Sequence, residues 1–395
     1  CQNQLKMAGQ YELVKYEKYA KPIKSWIFSA SAENAILPTL FIQEQQLKWL
    51  NESELKILNL PEGYLHAVFS KGGQYFGLVS LTTSQKNRDR NKIWQLNIYA
   101  ATGNHLYTIE KQQYYDDALP AVVLSDKNGS TILGQNTTGK LWFYGSNGEL
   151  IRQVALFSDA TYDLERIMYL DLSADGSRLA VVATKRGAAP SGTNVVNPSA
   201  EPHLLLFTQN GEEAWRQRLP EFNTAAAAIS ANGKYVIANS YTVDMQGQLN
   251  KTTSLFDQTG ATIASYDLLF KLADFSPDAK FLILTENALA KLIELPTGKI
   301  VWNYQLAKNQ GMITAARLSN NGEFAVLLVA KNEYRDNSFI FTKAKLKVLD
   351  FTGKLYQEID LKDETFEKAQ LKFSPDHQNI FIGFKNSYRV YEVNK

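Results

Sequence analysis

Cysteine is almost absent: the 395-residue chain has one, Cys1. That excludes a disulfide framework within the chain and any thiolate metal cluster. Histidine is nearly as scarce. His66, His105, His203 and His377 lie far apart with neither HxH nor HExxH spacing, so the sequence offers no zinc ligand set. No apolar run approaches the roughly 18 residues of a membrane-spanning helix. Basic runs stop short of five residues, and 42 Lys and Arg against 40 Asp and Glu leave a formal charge of +2. That is a poor footprint for nucleic acid, and none is expected as a partner. Catalytic signatures are missing as well. There is no GxSxG elbow, and neither GxGxxG nor GxxxxGK[ST] follows a strand-like segment.

What the chain does have is aromatic and aliphatic residues in short runs. Tyr and Phe number 20 each, with 6 Trp, a composition suited to β structure. The stretch from Leu272 to Tyr304 shows the pattern. Two apolar runs flank Ser276-Pro277-Asp278, and two more flank Thr297-Gly298-Lys299. Pro277 presets φ, Ser276 and Asp278 bond nearby backbone, and Gly298 supplies a positive-φ position at little cost. No window there keeps apolar residues at helical spacing over three turns. The stretch therefore reads as four strands joined by tight turns.

The same unit recurs along the chain. Each copy carries a serine at the end of its first strand: Ser29 in a degenerate first copy, then Ser70, Ser125, Ser173, Ser230, Ser276, Ser319 and Ser374. These anchors lie about 41 to 57 residues apart, close to the length of a four-stranded blade. The last unit lacks a fourth strand, while Tyr11-Glu12-Leu13-Val14-Lys15-Tyr16 belongs to no unit of its own. The expected fold is an all-β single β-propeller of eight four-stranded blades, with seven as the alternative. The N-terminal strand joins the C-terminal blade and closes it. Such closure removes an edge that would otherwise template aggregation. The domain boundaries read as a 1–10 tether followed by an 11–395 propeller.

Several motifs carry resemblances. Phe275-Ser276-Pro277-Asp278-Ala279-Lys280 and Phe373-Ser374-Pro375-Asp376 resemble the first-turn motif of WD-like repeats in bacterial periplasmic propellers. Thr297-Gly298-Lys299-Ile300-Val301-Trp302 and Asn210-Gly211-Glu212-Glu213-Ala214-Trp215 resemble the pyrroloquinoline-quinone-type repeat, which implies that the Trp docks on the neighbouring blade. Quinone enzymes of that type use a vicinal cysteine pair, which this sequence lacks, so no cofactor is expected. A chain beginning with Cys1 resembles a bacterial lipoprotein after signal-peptidase cleavage, its thiol carrying diacylglycerol. Residue 2 is Gln rather than Asp, which in that class implies the outer membrane, facing the periplasm. In length and repeat type the chain is similar to the propeller subunit of the outer-membrane β-barrel assembly machinery.

Function is less legible than fold. Connections after the first and third strands are tight, whereas those after the second and fourth are long: Thr82 to Lys92, Lys111 to Pro120, Thr184 to Pro202, Tyr241 to Thr252 and Lys331 to Lys343. The long connections share one face, where binding usually resides. Arg88, Arg90, Lys185 and Arg186 are candidates for acidic partners. Tyr114, Tyr115, Tyr334 and Arg335 are candidates for stacking on a peptide or sugar. The reading that follows is a non-catalytic, membrane-tethered scaffold of the bacterial cell envelope, monomeric as a propeller, that binds a protein or peptide. Two alternatives stand beside it. One is a metal-dependent propeller enzyme, lactonase- or lyase-like, using Asp116, Asp117, Asp171 or Asp274 at a channel mouth. The other is a carbohydrate-binding propeller. Asp171 and Asp274 each precede a serine anchor by two residues, which also suits hydrogen bonds between blades.

Overall fold

The computed structural model describes residues 10–28, 39–50, 57–83, 92–113, 119–135, 139–157, 166–186, 200–220, 226–319, 321–335, 337–362, 364–374, 376 and 378–393. Among the described residues the regular elements are all β-strands, and they form eight four-stranded antiparallel sheets. The chain is an eight-bladed β-propeller, as the spacing of the serine anchors predicts. It divides into two compact units. One comprises Cys1–Asn59, Lys271–Leu295 and Lys299–Lys395; the other comprises Leu60–Phe270 with Pro296–Gly298.

The first unit holds four blades. β1 is Tyr11–Lys18. The first blade is β2–β5 (Ile23–Phe28, Thr39–Gln43, Gln46–Leu50, Ile57–Asn59). The second unit supplies β6–β9 (Tyr64–Phe69, Tyr75–Thr83, Lys92–Ala100, His105–Gln113) and β10–β13 (Ala121–Leu124, Thr131–Gln135, Lys140–Tyr144, Leu150–Ala155). It also supplies β14–β17 (Arg166–Leu172, Arg178–Arg186, Ala200–Thr208, Glu213–Arg218) and β18–β21 (Ala227–Ile229, Tyr235–Val243, Leu249–Asp257, Thr262–Tyr266). The remaining blades of the first unit are β22–β25 (Leu272–Phe275, Phe281–Glu286, Leu289–Glu294, Ile300–Gln305) and β26–β29 (Met312–Leu318, Phe324–Arg335, Ser338–Asp350, Leu355–Asp360). Its last sheet is β30–β32 (Gln370–Phe373, Asn379–Gly383, Ser387–Val393), which β1 completes.

β1 lies antiparallel to β32 in a register running from Tyr11↔Val393 to Lys18↔Ser387, with one shift between Leu13 and Lys15. Three interactions fix it. Tyr11 is buried. Its N–H donates to Gln357 Oε1 at 2.8 Å, and Gln357 Nε2 donates back to its carbonyl at 2.9 Å. The Arg389 guanidinium stacks 4.5 Å from the Tyr16 ring centre while donating to Glu364 at 2.8 Å.

The turn after the first strand has one design. Ser276 Oγ accepts from the Phe281 N–H at 3.0 Å and donates to Asp278 Oδ1 at 2.6 Å, and Asp278 in turn accepts from Lys280 N–H. Ser173 with Asp175, Ser230 with Asn232 and Ser319 with Asn321 repeat it. The Ser70 turn departs from it, because Gly72 stands where the Asx belongs. Asp126, from the next blade, takes that role: it accepts from Ser70 Oγ at 2.5 Å and from Gln74 N–H at 3.1 Å. A side chain at residue 72 would meet that carboxylate at 2.0 Å.

The turn after the third strand docks the neighbouring blade. Trp302 on β25 lies against Gly353 in the β28–β29 turn, where a Cβ would sit 2.6 Å from the indole. Trp215 on β17 lies against Gly260 in the same way, and its Nε1 donates to Gln258 O at 3.1 Å. Both tryptophans therefore do what the repeat resemblance implies.

Two of the expected long connections are instead strand. β27 and β28 continue past the blade to Arg335↔Ser338, and β19 and β20 continue to Val243↔Leu249. The physical reason is cross-strand pairing: Tyr334 faces Phe339 and Asn332 faces Phe341. Asn337, at φ 62°, supplies the left-handed residue that a two-residue hairpin turn requires.

One buried charge sits in the β28–β29 pair. The Lys347 side chain is 3% exposed and its ammonium meets Glu358, which also holds Lys345 at 2.5 Å. Hydrogen bonds from these two lysines hold the Glu358 carboxyl below its ordinary 4.5 despite partial burial. Glu358→Gln leaves Lys347 buried without a counter-charge and is expected to cost about 2 kcal/mol in urea unfolding at pH 7. Because the folded pKa is depressed, the contribution is complete above pH 4.5. It fades as pH falls through the lower folded value, so wild type and variant converge in acid. Tyr11→Ala is expected to cost about 3 kcal/mol in the same measurement, the cost of emptying a buried aromatic site.

Candidate partner-binding surface

Antiparallel blades send the connections after their second and fourth strands to the same end. At that end of the β26–β29 blade the β27–β28 hairpin stands beyond its sheet. Its stem is anchored where Phe341 and Phe366 exchange backbone hydrogen bonds at 2.7 and 3.0 Å, with their ring centres 5.4 Å apart. Phe366 packs in turn on Phe384, and Glu364 of the same connection accepts from Ser387 Oγ and Arg389. The stem is thus tied to β32.

The tip differs from the stem. Tyr334 and Phe339 pack against each other with tilted rings, ring centres 4.9 Å apart, yet are 62% and 64% exposed. Glu333 pairs with Arg335 and accepts from Thr342 at 2.8 Å. Those bonds lower the Glu333 pKa, the Thr342 hydroxyl being the largest cause. The result is a partly apolar knob bearing a charge pair, with the aromatic and arginine residues favoured at the centres of protein interfaces. Tyr334 and Arg335, candidates from the sequence, are consecutive on β27 and so point to opposite faces of the hairpin, Tyr334 toward Phe339 and Arg335 toward Glu333. Phe339 is the member that sequence reading missed, and the signal that finds it is its pairing with Tyr334 across a two-residue turn.

The other candidates fare differently. Lys185 and Arg186 end β15, opposite Glu201 and Ala200. Arg88, Arg90, Tyr114, Tyr115, Asp116, Asp117 and Cys1 lie outside the described residues. In the second unit the β19–β20 hairpin presents Met245, fully exposed, on a turn in which Asp244 Oδ1 caps Gln246 and Gln248 N–H.

The remaining carboxylates considered for metal chemistry are engaged in holding blades together. Asp171 Oδ2 accepts from the Ile229 N–H at 2.9 Å and from Lys71 Nζ at 3.0 Å. Lys71 also donates to Ile229 O at 3.1 Å. Asp274 Oδ2 accepts from the Leu318 N–H at 2.8 Å, with Arg317 at 4.0 Å from the other oxygen. Among the described residues no three His, Cys, Asp or Glu side chains gather to hold a metal ion. The described histidines are separate: His203 Nδ1 lies 3.0 Å from Glu201 O beside Phe157, and His105 bonds Thr108, while His377 lies outside the described residues. Burial pulls the pKa of His66 and His203 down.

No protein-family model matches the chain, and no curated protein matches it. Solved structures do. The crystal structure of Saccharomyces cerevisiae Sqt1 superposes with a TM-score of 0.58 at 9% identity, covering 98% of this chain and 100% of that one. The Cps50 (Swd1) β-propeller domain of Myceliophteria thermophila gives 0.47 at 12% identity, over 85% and 97%. A eukaryotic initiation factor gives 0.48 at 12%, over 89% and 91%. At such identities the likeness is one of fold.

The carboxylate stitches make a direct test. Asp274→Ala strands the Leu318 N–H and is expected to cost about 1–3 kcal/mol. Asp274→Asn keeps an acceptor there and should recover most of that loss in thermal or urea unfolding.

Proposed function

We propose that this propeller is a non-catalytic scaffold that binds a protein or an extended peptide at the end of its blades where the second- and fourth-strand connections lie. The observation that carries the reading is the β27–β28 tip, where two aromatic rings pack on each other and are left in solvent. Ordering such a knob costs little on binding, because its stem is already fixed by Phe341, Phe366 and Glu364. The carboxylates of Asp171 and Asp274, which a lactonase-like mechanism would need free for a metal, support a scaffold instead through their bonds to Ile229 and Leu318.

The proposal extends to location: a lipid on Cys1 and the outer membrane of a bacterial envelope, facing the periplasm. Its support is the Cys1-Gln2 pattern. A diacylglyceryl thioether on Cys1, read by mass spectrometry of protein extracted from membranes, tests it, and an unmodified thiol there counts against it.

For binding, a photo-crosslinking amino acid at position 339 is expected to give a discrete adduct in the native envelope, and one at Thr352, in a tight turn, none. Tyr334→Ser with Phe339→Ser should weaken binding to the crosslinked partner about 30-fold or more, the loss of a hot spot of at least ~2 kcal/mol. The thermal midpoint should not move, since both rings are exposed. Unchanged binding by the double variant overturns the reading.

A further inference from the structure

Among the described residues, the cleft between the β6–β9 and β10–β13 blades, inside the second unit, holds two cations, Lys111 and Lys140, without counter-charges. Lys111 on β9 faces Trp94 across the β8–β9 pair, and its ammonium lies 3.1 Å from the centre of the Trp142 ring on the adjacent blade. Lys140 stands two residues before Trp142 on β12, and Lys92 two before Trp94 on β8, so both share the faces that look into the cleft. Lys111 and Lys140 meet no carboxylate within ion-pair distance among the described residues, and no hydrogen-bond acceptor either. Trp94 is fully buried, and its Nε1–H has no partner. Trp142 Nε1 donates outward to Gln153 at 3.1 Å. Lys92 and Lys140 begin their strands and Lys111 lies near the end of its own, so the three lysines gather at the blade end that carries the second- and fourth-strand connections.

An indole face attracts an ammonium by about 0.5–2 kcal/mol but does not neutralise it. A half-buried lysine beside a second lysine is therefore an incomplete site. The cost shows in Lys111 itself: burial, then the charge of Lys140, pull its pKa down to about 8. What would complete the cleft is negative charge carried on a slender apolar stem. Ammoniums act as point charges that need no bidentate geometry, so separate carboxylates spaced along a chain can each meet one of them. The chain's formal charge of +2 also gives no long-range pull on a polyanion such as nucleic acid.

We propose that this cleft is the docking site for an acidic, extended segment of a partner protein, with Lys111 and Lys140 taking its carboxylates and Trp142 packing against its stem. This names a partner chemistry for the blade end read above as the binding end, and so rests on that reading. Its residues are nonetheless separate from Tyr334 and Phe339.

The test uses the full chain and a fluorescein-labelled octapeptide of alternating Glu and Leu, followed by anisotropy at low ionic strength. Saturable binding is expected, with the Kd raised about tenfold by Lys111→Gln and again by Lys140→Gln, one charge-assisted contact each. The peptide with Gln in place of Glu should bind at least tenfold more weakly. Peptide should also slow acylation of Lys111 by an amine reagent, read by mass spectrometry. The inference is overturned if the wild type does not bind, if both lysine variants bind like wild type, or if the Gln peptide binds equally. It is also overturned if inorganic phosphate at matched ionic strength, or a single-stranded oligonucleotide, displaces the peptide. Lys140, only half-buried, serves as the variant that keeps its fold should Lys111→Gln lose stability. Tyr334→Ser with Phe339→Ser should leave peptide binding unchanged. A failure of the hairpin reading then shows in partner capture alone, and a failure of the cleft shows in the peptide alone.

Discussion

The structure depends on strands that are apolar on both faces. In β27, Val326, Leu328 and Ala330 look one way into a cluster with Leu346, Val348, Leu371, Ile380 and Ile382. Ala325, Leu327 and Val329 look the other way, toward Ile283, Leu292 and Trp302. A sheet built so cannot stand alone in water, since each fully buried aliphatic side chain is worth about 1.5–3 kcal/mol relative to exposure. It needs a neighbour against each face. The fourth strands, by contrast, can leave Leu150, Ile151, Ile300 and Val301 partly in solvent, because nothing lies beyond them in the sheet. The same demand explains β1. Without it β32 would be the free edge of a blade whose inner faces are already committed, and the Gln357 clamp on Tyr11 fastens it to the blade before.

Hydrophobic stacking is non-directional, so it does not by itself fix how blades register. Polar groups supply that. Asp171 and Asp274 each reach from a first strand to a backbone N–H of the first strand next door. Gln370 does the same for the Trp26 N–H at 2.7 Å. The Ser70 turn shows that the requirement is for an acceptor in a place, not for a residue at a position. With Gly72 there, the Asp126 carboxylate enters from the adjacent blade and satisfies the same two donors. A local turn has become a bond between blades, and Gly72 is thereby committed, since any side chain would evict its own cap. Ala279 shows the opposite compromise. It holds φ at 54° where the equivalent turns at Gly176, Gly233 and Gly322 use glycine, and it is buried while doing so.

These features differ in how far a linear sequence reveals them. The serine anchors from Ser70 to Ser374, the Thr-Gly turns and the orphan strand at Tyr11 are local signals, and each lands where it points, while Ser29 lies outside the described residues. The two docking tryptophans and the two stitching aspartates were also legible, because each tryptophan follows a turn glycine, Gly211 or Gly298, at the same short offset and each aspartate precedes its serine anchor in the same way. Hairpin extension was not. The segment Lys331 to Lys343 is rich in Asn, Lys and charged residues, which read as loop until Tyr334 is set opposite Phe339. The Lys111–Trp142 contact is less legible still. It joins residues on different blades, through strands whose facing sides are settled only once the register is known. Of the candidate binding residues, Tyr334 and Arg335 were singled out by residue type alone, and both are exposed near the hairpin tip.

The division between a committed core and an uncommitted blade end has a consequence for binding. Side chains between blades are fixed by packing on both faces, so change there costs stability. The outer ends of the β27–β28 and β19–β20 hairpins carry no such load, since Tyr334, Phe339 and Met245 there are exposed, and they extend beyond their sheets without disturbing a blade. The two surfaces described here use that freedom in different ways. The β27–β28 tip offers apolar area that is already ordered, which favours slow dissociation once contact is made. The Lys111 cleft offers charge that is already desolvated, so a carboxylate entering it meets ammoniums that water screens only in part, and whose attraction is correspondingly stronger. In both cases the scaffold has met the ordering or desolvation cost during folding, where the burial of whole blades outweighs it. Affinity is then available to a partner that supplies only a short complementary segment.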